Sequence, residues 1–154
     1  MSIKSSIEIE EIKEKYPIDL LKLADPEETA INKYISESYL FVAKNNNSVI
    51  GVVALNKIED KAYEIKNVAV AEEYQRNGIG SKLIYEAEKK ILELGGKSII
   101  IGTGNSSIAQ LKLYQLLGYR MDSIIKDFFV DNYEEEIFEN GIQCKDKIIL
   151  KKEI

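Results

Sequence analysis

The sequence contains no histidine, and this absence excludes whole classes of chemistry. None of its 154 residues is His, so this chain can build neither a His-based metal site nor a Ser-His-Asp triad. Its single cysteine, Cys144, cannot form an internal disulfide. A lone cysteine without an adjacent base is more typical of a core residue than of an acyl-enzyme nucleophile. We expect no metal cofactor.

Long apolar runs are also missing. No stretch approaches the ~20 apolar residues of a membrane-spanning helix. The segment Met1–Glu14 is charged throughout and has no signal-peptide core. The net charge of −5 argues against nonspecific binding to nucleic acid or to an anionic membrane, and it is compatible with a cationic substrate such as an amine. We therefore predict a cytoplasmic protein with no nucleic-acid or membrane partner.

The most informative segment that is present reads as strand, loop and helix. Residues 65–70 end in the small apolar run of a buried strand. In the loop that follows, Gly78 and Gly80 allow positive φ and close approach of a ligand to the backbone. The first N–H groups of the next helix have no partner inside it, and the helix dipole adds partial positive charge. This arrangement predicts a phosphate or pyrophosphate site.

Three phosphate-binding patterns can be compared with this loop. A P-loop requires Gly-Lys-Ser/Thr, whereas Gly80 is followed by Ser81 and Lys82. A dinucleotide fingerprint requires a third small residue where this chain has Leu83. The pattern Gln/Arg-x-x-Gly-x-Gly/Ala is matched in full by residues 75–80, Gln-Arg-Asn-Gly-Ile-Gly. A strand-to-helix turn without a ligand is the alternative for the loop alone.

A second motif lies nearer the C-terminus. Residues 113–119, Leu-Tyr-Gln-Leu-Leu-Gly-Tyr, end a predicted helix just before a predicted strand. With both motifs in this order, separated by one helix and one strand, the chain resembles the GCN5-related N-acetyltransferases (GNAT). The resemblance covers residues 40–121 through the motifs and the whole chain through the order of elements.

The resemblance and the apolar periodicity predict an α/β fold in one acetyltransferase domain, residues 1–154. The predicted order is β-α-α-β-β-β-α-β-α-β-β, a mixed, mostly antiparallel central sheet flanked by helices. Within it, we expect Asp25 to cap a helix that continues from Glu27 to Ser38. We also expect one strand from Tyr119 to Val130 and a final strand from Cys144 to Lys151.

The resemblance implies that the loop holds the pyrophosphate of acetyl-CoA, the co-substrate. The pantetheine arm would pair with the backbone of Val68 and Val70 as an added strand, and the N–H of Val70 or its neighbour would stabilise the oxyanion. The side chains of this strand are expected in the core. The implied cofactor-binding residues are Val68, Ala69, Val70, Gln75, Arg76, Asn77, Gly78, Ile79, Gly80, Ser81, Lys82, Asn105, Ser107 and Tyr114.

Two catalytic residues follow from the same resemblance. Tyr114 matches the general acid that protonates the leaving thiolate, since a phenol titrates near about 10 and a thiol near about 8.5. A packed structural tyrosine is the alternative, and helical spacing alone would not distinguish Tyr114 from Tyr119. Glu64 lies where the histone-acetylating branch carries its carboxylate base. A surface glutamate at a strand end is the alternative, and Glu28 and Tyr34 are further candidates for the base.

Two other features each have two interpretations. Members of the family use an asparagine at the position of Asn105 to hold pantetheine or water, but Asn105, Ser106 or Ser107 could also cap the next helix. The acidic, aromatic segment 122–139 could line a cleft for an amine, or it could be a solvated loop or a dimer contact.

The resulting prediction is an acetyl-CoA-dependent N-acetyltransferase that acetylates a primary amine by direct attack in a ternary complex. The acceptor would be a small molecule or a peptide. Pairs are common in this family, so the resemblance allows a homodimer, although the sequence itself does not give the oligomeric state. Two alternatives stay open. One is a non-catalytic acyl-CoA-binding or regulatory module of the same fold, and the other is a different nucleotide-binding α/β domain.

Overall fold

The computed structural model describes residues 6–154. Residues 1–5, the start of the segment predicted to lack a signal peptide, lie outside the described residues. The chain forms two compact units, residues 1–97 and residues 98–154. The single domain predicted over residues 1–154 stays a prediction. Within residues 6–154, no helix has the length and apolar character needed to cross a membrane.

The described part of the first unit, residues 6–97, contains four strands and three α-helices. The strands are β1 Ile7–Ile12, β2 Tyr39–Asn45, β3 Ser48–Glu59 and β4 Ala62–Val70, and the helices are α1 Ile18–Ala24, α2 Glu28–Asn32 and α3 Ile79–Glu93. The strands lie in the order β1-β2-β3-β4, and every neighbouring pair is antiparallel.

Helices cover both faces of this sheet. Val52 and Ala54 of β3 pack with Leu21 of α1 and Ile31 of α2 in one buried cluster. Gly51 faces the opposite side, because neighbouring residues of a strand point to opposite faces. There, a Cβ on Gly51 would lie 3.0 Å from Cδ1 of Leu83 in α3.

In the sequence, one helical face is predicted by the apolar spacing of Ile79, Leu83, Ile84, Ala87, Ile91 and Leu94. The structure confirms this face over α3 itself. Leu94, which was expected to continue it, is 39% exposed because it lies after the last helical residue. Gly95 then takes a φ of 84°, as a glycine after a helix commonly does. The buried residues of α3 are Ile79, Leu83, Ile84, Ala87 and Ile91.

The predicted helix from Glu27 to Ser38 is wrong. α2 ends at Asn32, and a short 3₁₀ turn, Ile35–Glu37, follows. The Ser38 hydroxyl donates to the backbone oxygen of Tyr34 over 2.8 Å, a local bond that competes with helix propagation. Asp25 is not the N-cap either, since its own N–H donates to Leu21 O at the end of α1.

The second unit contains a three-stranded sheet, a hairpin and two helices. Strand β9 lies between β5 and β6 and is antiparallel to both, while β7 and β8 pair with each other. In chain order the elements are β5 Ser98–Gly104, α4 Ile108–Leu116, β6 Arg120–Ile125, α5 Phe128–Asn132, β7 Ile137–Glu139, β8 Ile142–Cys144 and β9 Lys147–Glu153.

The predicted strand from Tyr119 to Val130 is wrong beyond Ile125. Asp127 has a φ of 59°, and its N–H donates to Oδ1 of Asp146 over 2.9 Å, so the chain leaves the extended conformation and begins α5. The predicted last strand from Cys144 is two elements, because Cys144 ends β8 and β9 begins at Lys147. The predicted fold class, α/β with a mostly antiparallel sheet flanked by helices, is confirmed.

Candidate functional site

The candidate phosphate loop leaves β4 in a fixed direction. The N–H of Ala71 donates to Ile50 O over 2.8 Å, which ties the end of β4 to β3. A short 3₁₀ turn, Glu72–Tyr74, follows. The Tyr74 hydroxyl accepts a hydrogen bond of 3.2 Å from the side-chain amide of Asn45 at the end of β2. Hydrogen bonds to β3 and β2 therefore fix the start of the loop.

Two left-handed residues shape the loop itself. Gly78, the residue before α3, has a φ of 77°, as the glycine pattern predicts. Gly80 lies inside α3, and the second positive φ, 65°, belongs to Arg76, which the sequence did not indicate. The side-chain amide of Asn77 donates to the backbone oxygens of Tyr74 and Gln75 at 3.1 Å each. Asn77 thus stabilises the turn by donating to backbone carbonyl groups, and it leaves the backbone N–H groups of the loop available.

Those N–H groups are the main property of the site. Gly78 provides no side-chain cap to α3, and the first intrahelical bond is from Lys82 N to Gly78 O, 3.1 Å. Unpaired N–H groups that converge at a helix start form a binding site for an anion. Among residues 6–154, no group accepts a hydrogen bond from the backbone N–H of Arg76, Asn77, Gly78, Ile79, Gly80 or Ser81.

The charges around this helix start also favour an anion. The first turn of α3 carries no acidic residue. Arg76 and Lys82 flank it with exposed side chains. Ile79, in contrast, is 2% exposed, so the loop is anchored by an apolar side chain and keeps its polar groups outward. The structure therefore brings the predicted loop residues 75–82 together in one segment.

The end of β4 continues this site along its backbone. Ala71 bonds to β3, and in an antiparallel ladder alternate residues point to the same neighbour, so Ala69 also points to β3. Val68 and Val70 consequently direct their N–H and C=O groups to the other side of β4. On that side, the Gln75 side-chain amide donates to Val70 O over 2.9 Å. The side chain of Ala69 is buried, and those of Val68 and Val70 are half-buried.

Glu64 is not the strand-end surface residue of the alternative interpretation, since it is only 7% exposed. It lies opposite Asn56 of β3, within β4. Its carboxylate forms an ion pair of 2.9 Å with the Lys66 ammonium. The role of Glu64 as a base stays a prediction.

Tyr114 lies in the second unit, on α4, and is 4% exposed. Burial raises the pKa of Tyr114 above the usual phenol value, so the hydroxyl keeps its proton. No residue in the described range forms a hydrogen bond with this hydroxyl. Its ring packs against Tyr119, with centroids 6.5 Å apart.

Asn105 is engaged within the second unit. Its side-chain amide donates to Gln143 O over 3.1 Å, and its side-chain oxygen accepts from the N–H groups of Lys145 and Asp146 at 2.8 and 2.9 Å. These bonds hold the chain between β8 and β9. A role for Asn105 in binding pantetheine stays a prediction.

Ser107 precedes α4 as the N-cap residue, but its side chain makes no capping bond. The hydroxyls of Ser106 and Ser107 donate instead to Oε1 of Glu139, at 3.1 and 2.8 Å. Within segment 122–139, Glu139 therefore accepts a hydrogen bond from each of these two serines. Glu134–Glu136 of the same segment are exposed. Ser107 therefore occupies the N-cap position of α4, but its side chain does not form the hydrogen bond of a helix cap.

Asn67 is a buried polar residue of β4 that belongs to neither sequence motif. Its side-chain amide donates to Leu21 O over 2.9 Å and to the Tyr34 hydroxyl over 3.0 Å. These contacts join β4 to α1 and to the segment after α2. An asparagine within an otherwise apolar strand was the available signal, because a buried amide needs hydrogen-bond partners.

Comparison with known proteins identifies the family. The sequence model of the "Acetyltransferase (GNAT) family" matches residues 7–119. The chain belongs to the GNAT family. A relative from Bacillus subtilis (strain 168), the N-acetyltransferase YvbK, is 45% identical over 132 residues, which are 86% of this chain and 85% of that protein.

Solved structures agree with the GNAT assignment. An IAA acetyltransferase from Bacillus cereus ATCC 14579 has a TM-score of 0.94 and 48% identity, covering 97% of this chain and 100% of that one. A GNAT acetyltransferase from Elizabethkingia anophelis with acetyl-CoA bound has a TM-score of 0.92 and 45% identity, covering 97% and 99%. These matches place the chain among the GNAT acetyltransferases, and the Elizabethkingia anophelis neighbour holds acetyl-CoA. This assignment contradicts the second alternative prediction, a different nucleotide-binding α/β domain.

Proposed function

We propose that this GNAT protein is an N-acetyltransferase that moves the acetyl group of acetyl-CoA to a primary amine by direct attack in a ternary complex. The acceptor is a small molecule or a peptide. The observation that carries the proposal is the row of unpaired N–H groups at residues 76–81, at the start of α3. The acetyl-CoA bound to the Elizabethkingia anophelis neighbour supports it.

In this proposal, the first unit binds the donor. The amides of residues 76–81 hold the pyrophosphate, and the exposed cations Arg76 and Lys82 add attraction for its negative charge. The backbone groups of Val68 and Val70, which point away from β3, pair with the pantetheine arm. The N–H of Val70 or its neighbour donates to the carbonyl oxygen as negative charge develops on it.

The chemical step then needs two proton transfers. The amine nitrogen attacks the thioester carbonyl carbon, the C–N bond forms, and the π electrons move to the oxygen. When the tetrahedral intermediate collapses, the C–S bond breaks and its electron pair goes to sulfur, which takes the Tyr114 proton. Glu64 accepts the proton that the amine nitrogen loses. The products are an acetamide and CoA thiol.

Two structural properties support these roles. Burial raises the pKa of Tyr114, so its hydroxyl carries the proton at neutral pH, which is the state from which a general acid starts. Glu64 is buried rather than free in solvent, which keeps its carboxylate in one place. Roles for Asn105 and Ser107 in holding pantetheine, a cytoplasmic location and a homodimer stay predictions of the resemblance.

The test is acetyl transfer with purified protein. Acetyl-CoA is incubated with a panel of amines that includes a diamine, an aromatic amine, an amino amide and a peptide with a free N-terminus. Thiol release is followed with a chromogenic disulfide, and the acetylated amine is identified by mass spectrometry. We expect thiol release that depends on the amine, with one acetamide formed per thiol. CoA binding without amine-dependent thiol release would instead support the non-catalytic acyl-CoA-binding module.

A further inference from the structure

A β-bulge in β4 places Glu64 and Asn67 on one face of the sheet. Glu64 lies opposite Asn56, and Asn67 lies opposite Ala54, while the register shifts between them and leaves Lys66 as the extra residue. Without the bulge, residues three apart in a strand would point to opposite faces. Ala54 belongs to the cluster formed with α1 and α2, so both side chains face those helices.

The orientation of the Asn67 amide is fixed by its partners. Its nitrogen donates to Leu21 O and to the Tyr34 hydroxyl, and a backbone oxygen can only accept. The opposite orientation would place two oxygens against each other. Asn67 is 4% exposed, so its side-chain amide is shielded from water. Asn67 therefore holds the Tyr34 oxygen as an acceptor.

This leaves the Tyr34 proton for another molecule. No residue in the described chain accepts a hydrogen bond from the Tyr34 hydroxyl, and the side chain is half-buried. Burial is the largest cause that raises the pKa of Tyr34 to about 12; the Asn67 hydrogen bond lowers it and the negative charge of Asp25 raises it. The hydroxyl therefore carries its proton at neutral pH and can donate a hydrogen bond to a neutral oxygen, while the charge of Asp25 disfavours a carboxylate.

We propose that Tyr34, oriented by Asn67, binds the acceptor molecule and donates a hydrogen bond to a neutral oxygen, such as an amide carbonyl, that the acceptor carries besides its amine. This inference rests on the proposed function, because the acceptor must approach the face of β4 that carries Glu64. The segment after α2 places the Tyr34 hydroxyl on that same face through the bond to Asn67. The substrate class is therefore an amine with an amide or hydroxyl oxygen, and an amino acid with a free carboxylate is disfavoured.

Stable conjugates of CoA test this without requiring turnover. CoA is joined through an S-acetyl bridge to glycinamide and to β-alaninamide, to alkyl amines of the same lengths, and to glycine. Affinities are measured by calorimetry, with CoA alone as the reference. For the wild type, we expect at least one amide conjugate to bind about fivefold more tightly than its alkyl partner, the value of one neutral hydrogen bond. The glycine conjugate should bind more weakly than the glycinamide conjugate.

Three variants locate the effect. Tyr34→Phe removes only the hydroxyl and should abolish the amide preference while the affinity for CoA stays unchanged. Asn67→Leu should also abolish that preference, although it lowers thermal stability as well. Tyr16→Phe is the matched control, because Tyr16 packs on the same core cluster and its hydroxyl donates to Lys13 O. It should keep the full preference.

The outcomes separate the two proposals. Failure of the wild type to bind CoA would contradict the proposed function itself. If the wild type binds CoA but shows no amide preference at either length, the inference about Tyr34 is wrong and the donor site stands. The inference is equally overturned if Tyr34→Phe keeps the preference. If Asn67→Leu keeps the preference while Tyr34→Phe loses it, Asn67 is structural and does not position the hydroxyl.

Discussion

Replacing Gly80 by glutamate tests the phosphate loop through charge. Gly80 is in the first turn of α3, beside the unpaired amides, and no acidic residue is present in that turn. The matched variant is Gly80→Gln, which adds a side chain of the same size without the charge. Any steric effect on the ligand is therefore common to both variants, and their difference in CoA affinity reports electrostatics alone.

The expected difference can be estimated from Coulomb's law. A carboxylate at roughly 5 Å from one phosphate charge, with the effective dielectric constant of about 20 used near protein surfaces, costs about 3 kcal/mol. This corresponds to a loss of affinity of roughly 100-fold relative to Gly80→Gln. Folding should change in the opposite direction, because a negative charge at a helix N-terminus contributes about 0.3–1 kcal/mol of stability. Gly80→Glu should thus be at least as stable as Gly80→Gln.

Calorimetric titration with CoA at low and high salt measures this effect. The gap between the two variants should narrow at high salt, since exposed charges are screened. The melting temperature is measured on the same samples to show that both variants are folded. If folded Gly80→Glu and Gly80→Gln bind CoA equally at low salt, the pyrophosphate does not lie at the start of α3.

Three further substitutions follow from the structure. Tyr114→Phe should lower kcat by about 100-fold while CoA affinity changes by less than about twofold, and an unchanged kcat would remove its acid role. Glu64→Gln should lower kcat/KM by about tenfold at neutral pH, and the loss should shrink as rising pH deprotonates the amine; a loss that is equal at every pH would contradict a base. Gly104→Ala should lower the free energy of unfolding by about 1–3 kcal/mol, because its Cβ would lie 2.3 Å from Sγ of Cys144. Denaturant titration should show that Cys144→Ala in the same chain restores most of this loss.

The local features of the phosphate loop could be predicted from the sequence because they depend on neighbours in the chain. The 3.6-residue periodicity gave the buried face of α3, and Gly78 has the positive φ that its place before the helix requires. These signals are local, so one sequence is sufficient to show them.

The remaining features depend on contacts between distant residues. The Ser38 hydroxyl ties the segment after α2 to the Asn56 side chain of β3, and β6 ends where the Asp127 N–H bonds to Asp146. Asn67 meets Tyr34 only because a bulge reverses the alternation of β4. A pattern of apolar and polar residues contains no signal for a bulge, so the face on which Glu64 and Asn67 lie could not be derived from it.

The unpaired amides at residues 76–81 are proposed to bind the pyrophosphate of CoA. The ¹H–¹⁵N spectrum of the protein, recorded with CoA and with pantetheine, which lacks the pyrophosphate, tests this binding. CoA should shift the amide protons of residues 76–81 downfield, as a hydrogen bond to a phosphate does, whereas pantetheine should leave them in place. If CoA binds and these amide protons do not shift, the pyrophosphate does not bind at this loop.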